Sequence, residues 1–378
     1  MAAPRALRRT SPITLLLAAL LTIGLLIFIF SPSHSGSSGS RSRQKDVASN
    51  PLSPPTSPFR KQSPKANGQR TPPPVVHYHL NNVTTTTQPV DQQEMILILT
   101  PLTKFYQEYW DNLLKLSYPH ELLALGFIIP KTREGNAATA ALQAAIAKTQ
   151  SGPEKKRFAS ISILRQDFDP PISSQSEAER HKMENQKARR ASMSRARNSL
   201  LFTTLGPMTS WVLWLDADII ETPPTLIQDL AFHDKPIIVP NCYQRYIDPD
   251  TKKPATRPYD YNSWQESKEA KELASKLGND DIIIEGYAEM PTWRTLMAHV
   301  AEPEGNPLQE MQLDGVGGTA LLVKADVHRD GAMFPPFAFY HLIETEGFSK
   351  MANRLGWESW GLPNYYVSHR VADRTVQV

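Results

Sequence analysis

The chain has 378 residues, a formal net charge of +3 and one cysteine, Cys242. A single cysteine excludes an internal disulfide, and the sequence has no paired Cys/His groups with the spacing of a zinc site. The net charge is small, and no dense basic face carries interleaved aromatic residues. The sequence is therefore not that of a nucleic-acid-binding protein.

The N-terminal segment predicts a membrane anchor. Residues 1–12 carry three arginines and no acidic residue, and residues 13–30 are eighteen uncharged, mostly apolar residues. That length is sufficient for a membrane span, and the basic flank predicts a cytoplasmic N-terminus. A cleaved signal peptide is the alternative, but its apolar core is normally shorter and ends in small residues. We expect an uncleaved signal anchor with the remaining chain on the other side.

A stem and a folded domain follow the predicted anchor. Residues 31–74 are rich in Ser, Pro, Arg and Lys and nearly lack large apolar side chains. They cannot bury enough surface to offset the entropy of ordering, so we expect a disordered stem. Residues 75–378 then form the folded domain. Asn82-Val83-Thr84 is a glycosylation sequon, which makes Asn82 a candidate for modification, although such tripeptides also occur by chance.

Strands and helices alternate through the folded part. Strand patterns occur at residues 95–99, 122–129, 160–164, 211–215, 236–240, 282–285 and 319–323, and helical patterns at 105–114, 137–148, 177–205, 222–230 and 343–355. This alternation predicts βαβ units and a parallel sheet. Thr222 before two prolines is typical of a helix N-cap. Most of the basic residues in the long helix at 177–205 are typical of a solvated face. Arg197 and Asn198, near its end, could instead reach a diphosphate.

The central strand ends in Asp216-Ala217-Asp218. Ionised Asp is rarely buried unless it is paired or bound to metal, and open α/β sheets bind ligands at the carboxyl ends of their strands. The tripeptide therefore has two equal interpretations. One is a divalent-metal site that faces a phosphorylated ligand, and the other is a turn whose Asp residues cap the next helix.

The C-terminal half leaves several alternatives open. Residues 241–264 are loop-like, and their aromatic, Asp and Asn residues fit a sugar site or a loop held by aromatic anchors equally well. Gly315, Gly317 and Gly318 do not form a dinucleotide-binding pattern. They permit close backbone approach or a positive φ. Taken alone, His369 is more typical of a core histidine than of a ligand.

An ordered set of motifs resembles the fungal Golgi α-mannosyltransferases of glycosyltransferase family 62, which build the mannan outer chain on N-glycans. The motifs include Ala196-Arg197-Asn198-Ser199-Leu200-Leu201, Leu215-Asp216-Ala217-Asp218-Ile219, Tyr259-Asp260-Tyr261-Asn262-Ser263-Trp264 and Leu313-Asp314-Gly315-Val316-Gly317-Gly318. Further matching segments are residues 96–105, 109–113, 125–128, 233–235, 284–287, 323–329, 344–348 and 361–365. The resemblance covers essentially residues 75–370.

The resemblance implies an α/β, GT-A-type glycosyltransferase fold, with one Rossmann-like lumenal domain and a mixed central sheet behind a transmembrane signal anchor. It implies a single-pass type II protein of the Golgi membrane. The implied activity is a retaining, metal-dependent α-1,6-mannosyltransferase that moves mannose from GDP-mannose to an oligomannose N-glycan. The alternative is a mainly structural subunit of a mannan polymerase complex, whose catalysis depends on a paralogous subunit. A transferase with another donor is a third possibility.

The resemblance also implies site residues. For the metal, usually Mn²⁺, it implies Asp216, Asp218 and His369, with Asp218 the favoured direct ligand, and an imidazole among oxygen ligands suits manganese. Donor-binding candidates are Thr100, Pro101 and Asp167 for guanosine and ribose, and Arg189, Arg197, Asn198 and Asp216 for the phosphates or mannose. Candidates that bind the acceptor or a sugar are Asn262, Trp264 and Asp314. Catalytic candidates are Asp260, Glu344 and Glu346. Retention of the α configuration at the transferred mannose is compatible with a carboxylate nucleophile or with front-face attack.

Overall fold

The structure is a computed structural model that describes residues 75–167, 183–248, 250–302 and 304–370. The predicted tail (1–12), anchor (13–30) and stem (31–74) lie outside the described residues. Among the residues that are described, no helix has the length and apolar character that a membrane span requires.

The element bounds follow the chain. The strands are β1 Met95–Pro101, β2 Leu123–Ile129, β3 Ser160–Arg165, β4 Thr209–Leu215, β5 Ile219–Glu221, β6 Ile237–Ile247, β7 Pro254–Pro258, β8 Trp264–Gln265, β9 Thr295–Leu296, β10 Met311–Leu313, β11 Ala320–Lys324 and β12 Ser359–His369. The helices are α1 Gln107–Lys115, α2 Arg133–Gln150, α3 Met183–Thr204, α4 Leu226–Phe232, α5 Lys268–Ala274, α6 Ala325–Arg329 and α7 Glu344–Arg354. Helix α3 covers the described part of the helix predicted at 177–205.

Ten strands of the described chain form one mixed sheet. Its main order is β10-β12-β6-β11-β4-β1-β2-β3, with β5 paired to β12 and β7 paired to β6. Strand β1 lies parallel to β2 and β4, while β11 runs antiparallel to β4 and β6. Strands β8 and β9 form a separate pair. The sheet is therefore mixed, as the family resemblance implied.

Helices cover both faces of the sheet. Successive strand side chains point to opposite faces, so Ile96 and Ile98 pack on one side and Leu97 and Leu99 on the other. The first side holds apolar residues of α1, α2 and α4, and the second those of α3, α6 and α7. As predicted, Tyr109 and the neighbouring apolar side chains of α1 face the core. With both faces covered, β4 is buried along its whole length, as its continuous apolar sequence predicts.

Three local predictions were wrong. Residues 282–285 form no strand, because Ile282 and Ile284 pack into a small separate cluster with Ile343. Residues 241–258 are largely extended in β6 and β7. Strand β6 pairs with β12 on one side and with β7 on the other, and these backbone hydrogen bonds stabilise the extended conformation despite the polar sequence. Thr222 is not the N-cap, because α4 begins only after Pro223-Pro224 and a residue before proline avoids helical geometry. Its hydroxyl donates to Asn112 Oδ1 instead.

Candidate functional site

Strand pairing brings the Asp pair and His369 together. Asp216 follows β4, and Asp218 directly precedes β5. Strand β5 runs antiparallel to the end of β12, so that Ile219 lies opposite His369. The amide of Arg370 donates to the carbonyl of Asp218 at 2.8 Å. Two segments about 150 residues apart in sequence therefore meet at one end of the sheet, where open α/β sheets bind ligands.

The contact between His369 and Asp218 is suited to a positive charge. His369 Nε2 lies 2.9 Å from Asp218 Oδ2, but the contact lacks hydrogen-bond geometry and no other described residue bonds to Nε2. Nδ1 lies 2.6 Å from the carbonyl of Arg370, to which it donates. In the neutral tautomer with its proton on Nδ1, Nε2 presents a lone pair to a carboxylate, which is repulsive. A proton or a metal ion between the two atoms removes that repulsion.

The pKa shifts agree with this geometry. Burial alone would lower the pKa of His369, but the adjacent Asp218 carboxylate and the Arg370 carbonyl together outweigh burial and raise that pKa above its usual value. Burial, together with the charges of Asp218 and Glu344, raises the pKa of Asp216 to about 7, although Arg197 opposes the shift. The site therefore concentrates negative charge that an added cation would neutralise.

The donor set fits a divalent cation that is also bound by a phosphorylated ligand. Within the described residues, no group of three or more His, Cys, Asp or Glu side chains is arranged to hold a metal ion. Such cations, however, often take only one or two protein carboxylates, because phosphates and waters supply the other ligands. Neighbouring ligands of an octahedral ion with bonds of about 2.1 Å lie about 3 Å apart. The 2.9 Å separation of His369 Nε2 and Asp218 Oδ2 matches that spacing.

Arg197 lies beneath the Asp pair. Its Nη2 donates to Asp216 Oδ1 at 3.0 Å and its Nε to Glu344 Oε1 at 3.3 Å. The side chain is 2 % exposed and packs against Trp214 and Phe334. Its Nη1 is buried without a hydrogen-bond partner in the described chain. Arg197 therefore holds Asp216 and Glu344 in place from inside the protein.

The glycines of the Asp314–Gly318 segment let three site side chains approach the backbone. A Cβ at Gly317 would lie 1.8 Å from Asp260 Oδ2, and a Cβ at Gly315 would lie 2.4 Å from Trp264 Cε2. A Cβ at Gly318 would lie 2.9 Å from Arg197 Nη2. None of these three glycines has a positive φ. Of the two roles considered from sequence, close approach is the correct one.

A relay of buried contacts connects Trp264 to Asp260. Trp264 Nε1 donates to Glu346 Oε1 at 2.8 Å, and Arg190 Nη1 donates to Glu346 Oε2 at 2.7 Å. Arg190 Nη2 donates to Asn262 Oδ1 at 3.0 Å. The amide groups of Asn262 donate to Asp260 Oδ1, each at 2.9 Å. This relay (Trp264, Glu346, Arg190, Asn262 and Asp260) fixes the Asp260 carboxylate, whose other oxygen accepts from Thr319.

The Anp1 family profile matches residues 74–338. The chain belongs to the Anp1 family. It is 56 % identical over 295 residues to the mannan polymerase complex subunit MNN9 of Candida albicans, covering 78 % of this chain and 80 % of that protein. It is 54 % identical over 292 residues to the mannan polymerase complex subunit mnn9 of Schizosaccharomyces pombe, covering 77 % and 85 %.

More distant matches include a further family member and a solved structure. The mannan polymerase II complex ANP1 subunit of Saccharomyces cerevisiae is 37 % identical over 300 residues, covering 79 % of this chain and 59 % of that protein. A mannosyltransferase of Pyrobaculum calidifontis, solved with GDP-Man and Mn²⁺, is similar with a TM-score of 0.39 and 12 % identity. That match covers 74 % of this chain and 58 % of the other.

In this Anp1 family member, several predicted donor-binding residues already have protein partners. Thr100 is fully buried, and its hydroxyl contacts the Leu215 carbonyl and the Tyr109 hydroxyl. The Asn198 amide is bonded to both backbone groups of Phe334. Asp167 accepts from the amide of Lys131, and Pro101 is the last residue of β1. Thr100 and Asn198 are thus arranged as structural residues.

Other predicted residues differ in their access to solvent. Arg189 is partly buried, and its Nε has no hydrogen-bond partner among the described residues. Asp260 is 8 % exposed, Glu344 is 9 % exposed, and Glu346 and Trp264 are completely buried. Asp314 is exposed, and its Oδ2 accepts from the amide of Glu266. Asn82 is also exposed, which leaves the sequon accessible.

Sequence reasoning missed Arg190 and Arg294. Arg190 is seven residues before Arg197, which places both on one face of α3, so a helical projection would have identified it. Arg294 packs its guanidinium 3.5 Å from the Trp264 ring centroid and pairs with Glu266 and Glu285. It lies just before a two-residue strand, and no local pattern marks it.

Proposed function

We propose that this Anp1 family member is a retaining, metal-dependent α-1,6-mannosyltransferase of the GT-A type. It transfers mannose from GDP-mannose to the oligomannose outer chain of N-glycans. The observation that carries this proposal is the 2.9 Å contact of His369 Nε2 with Asp218 Oδ2, which is suited to a cation, with Asp216 two residues before Asp218 in the chain. The relatives are named as subunits of mannan polymerase complexes, which supports mannose as the transferred sugar.

In this proposal Asp218 and His369 hold the divalent cation, with Mn²⁺ preferred because one ligand is imidazole. When bound, the cation neutralises negative charge on the leaving diphosphate. Asp216 adds negative charge to the site and is held by Arg197. Glu346 pairs with Arg190 and fixes its orientation, and Glu344 does the same for Arg197. Arg189 and Arg197 are both candidates for contact with the donor phosphates, because each has a buried guanidinium nitrogen without a partner in the described chain.

Asp260 is the carboxylate assigned to the reacting sugar. Asn262 and Thr319 hold its two oxygens, so its position is determined before any ligand arrives. Such preorganisation serves either retaining route, the carboxylate nucleophile or the front-face attack. Glu346 has both oxygens occupied inside the protein and acts through Arg190 and Trp264 without touching substrate.

The cellular setting is part of the proposal. Residues 13–30 would anchor the chain as a single-pass type II protein of the Golgi membrane, with the described domain in the lumen. The basic N-terminus and the apolar length support this orientation. Asn82 would then be available for glycosylation.

A second candidate function is a structural role in a mannan polymerase complex. The names of the relatives describe subunits of such complexes, which favours assembly with paralogous subunits. In this version, the chain positions a catalytic partner and contributes little transfer by itself.

The test compares the full chain with an Asp218→Asn variant, which keeps the side-chain size but removes the charge. We expect Mn²⁺ affinity in the presence of GDP, measured by calorimetry, to fall by more than about tenfold, since even outer-shell metal partners cost that much. Transfer from GDP-mannose to an oligomannose should be lost as well. Asp326→Asn is the control, because its carboxylate is 55 % exposed and pairs only with Arg329 among the described residues.

Unchanged Mn²⁺ affinity in Asp218→Asn would contradict the metal role. If the wild-type chain transfers no mannose alone but does so once a paralogous subunit is added, the structural role is favoured over independent catalysis.

A further inference from the structure

A tight turn beside the buried relay carries two residues in an unfavourable backbone conformation. Tyr340 and His341 have φ angles of 54° and 61°. Phe339 and Leu342 on either side exchange both backbone hydrogen bonds, at 2.8 and 3.0 Å. Positive φ at both central residues is the geometry of a type I′ turn, in which Asn-Gly is the favoured sequence. A bulky pair at these positions costs free energy, and such outliers concentrate at functional sites.

The turn presents an exposed aromatic ring. Tyr340 is 55 % exposed. Lys350 Nζ lies 5.4 Å from its ring centroid, and the Arg354 guanidinium lies 5.9 Å from it. Phe339 contacts the same ring edge-on at 4.9 Å. These neighbours hold the ring in one orientation, although much of it remains in contact with solvent.

Two cavities meet at this turn. One, of 410 Å³, is lined by Tyr340, His341, Leu342 and Trp264, among other residues. The other, of 290 Å³, is lined by Asn279, Ala338 and the same Tyr340 and His341. The turn therefore separates two adjoining depressions, and a ligand that fills both must be elongated. Each has a size suited to small ligands, or to parts of a longer one.

The charges around the larger cavity are balanced. Its lining contains two carboxylates, Glu266 and Asp314, and two ammonium groups, Lys271 and Lys350. Glu266 is also bonded to Arg294 through both of its oxygens. A phosphate or another anion would meet as many negative groups as positive ones. A neutral polyhydroxy compound, in contrast, finds hydrogen-bond donors, acceptors and an aromatic face together.

The cavity adjoins the groups that organise the reaction site. Trp264 lines it and donates to Glu346, and the relay continues from there to Asp260. The turn itself leads within four residues to Glu344 and Glu346 at the start of α7. Glu344, whose φ is 57°, holds Arg197. An elongated ligand across the turn would therefore lie next to the support of the reaction site.

We propose that the two cavities and the Tyr340 ring form a remote subsite for the acceptor, which binds sugar units of an oligosaccharide beyond the one that reacts. The Tyr340 ring stacks on the apolar face of one sugar, and the polar groups of the larger cavity bind its hydroxyls. This inference rests on the proposed transfer to an oligomannose acceptor.

The test uses the full chain and the variants Tyr340→Asn and Tyr340→Phe. Asn is favoured at positive φ, so the first variant removes the ring and keeps the turn, while the second retains the ring. Steady-state kinetics are measured with α-1,6-linked mannotetraose and with methyl α-mannoside as acceptors. In Tyr340→Asn the KM for mannotetraose should rise about three- to tenfold, the range expected from loss of an aromatic contact.

The other readouts separate a subsite from a general defect. The KM for methyl α-mannoside, the KM for GDP-mannose and kcat should stay unchanged in Tyr340→Asn, and Tyr340→Phe should behave as wild type. Phe202→Ala is the matched control, since Phe202 is a 64 % exposed aromatic residue on α3. An unchanged KM for mannotetraose in Tyr340→Asn overturns the subsite and leaves the transferase proposal intact.

Direct binding keeps the two proposals distinguishable. If no chain transfers mannose, the transferase proposal fails, and saturation-transfer NMR with mannotetraose then tests the subsite alone. Binding that is weakened in Tyr340→Asn but retained in Tyr340→Phe supports the subsite. Equal binding by wild type and Tyr340→Asn, or no binding by wild type, overturns it.

Discussion

At the scale of single residues, the site depends on side chains that approach the backbone closely. Gly317 is the clearest case, because the carboxylate of Asp260 occupies the space where its Cβ would lie. Asp260 cannot move aside freely, since Asn262 and Thr319 hold both of its oxygens. A methyl group at residue 317 therefore displaces the group assigned to the reacting sugar.

Gly317→Ala should lower mannose transfer strongly and reduce the free energy of unfolding by about 1–3 kcal/mol, the usual cost of overpacking. Chemical denaturation and transfer kinetics measure the two effects. Gly206→Ala is the control, because its new Cβ would meet Thr209 Oγ1 at an ordinary 3.5 Å. Wild-type kinetics in Gly317→Ala would show that the position of Asp260 does not matter for transfer.

At the scale of elements, buried ion pairs connect parts of the chain that share few backbone hydrogen bonds. Strands β8 and β9 have two residues each, yet Arg294 beside β9 contacts three side chains from two other parts of the chain. It stacks on Trp264 of β8 and pairs with Glu266 and Glu285 at 2.8 Å each. Its side chain is 1 % exposed, so removal of its charge would leave two poorly solvated carboxylates without a partner.

Arg294→Met should reduce the free energy of unfolding by about 3–5 kcal/mol, because it breaks a buried ion pair and leaves the acids uncompensated. Thermal and urea unfolding provide the measurement. Arg245→Met is the matched control, since Arg245 is 63 % exposed and pairs with Glu221, which is 54 % exposed. A loss no larger than that of Arg245→Met would show that Arg294 does not stabilise the β8–β9 region.

At the scale of the whole molecule, one buried histidine makes stability depend on pH. His328 of α6 lies in the core that α3, α6 and α7 form on one face of the sheet, against Trp214, Phe334 and Phe348. Its Nδ1 donates to the Ala332 carbonyl, and its Nε2 accepts from Trp214 Nε1. Burial lowers its pKa from 6.5 to about 4, although the bond to Ala332 opposes the shift.

Between pH 6.5 and 4 the unfolded chain binds a proton at His328 that the folded chain does not, so folding stability falls as the pH falls through this window. By pH 4 the loss should reach about 3 kcal/mol. Urea unfolding at several pH values should show a shallower pH dependence for His328→Gln than for wild type. His79→Gln, at an exposed position, is the control. Equal slopes for wild type and His328→Gln would contradict the prediction.

The sequence by itself determined much of the protein. The continuous apolar run of β4, the alternation of strands and helices, and the core-facing side of α1 all followed from local periodicity, which depends only on residues close in sequence. The ordered motifs also led to the Anp1 family, because their agreement extends over most of the folded part. Asp216 and Asp218 were predicted as site residues because they follow a recognisable strand.

Only the tertiary structure decided which residues meet. The pairing of β5 with β12 brings His369 to Asp218, and no local pattern in either segment encodes that register. The tertiary structure also distinguishes the roles of two arginines. Arg197 pairs with Asp216 from inside the protein, whereas Arg189 Nε has no partner in the described chain. Trp264 looked like a sugar platform in sequence, but it is buried between Arg294 and Gly315. Burial and long-range pairing arise from contacts between distant segments, so composition and spacing cannot specify them.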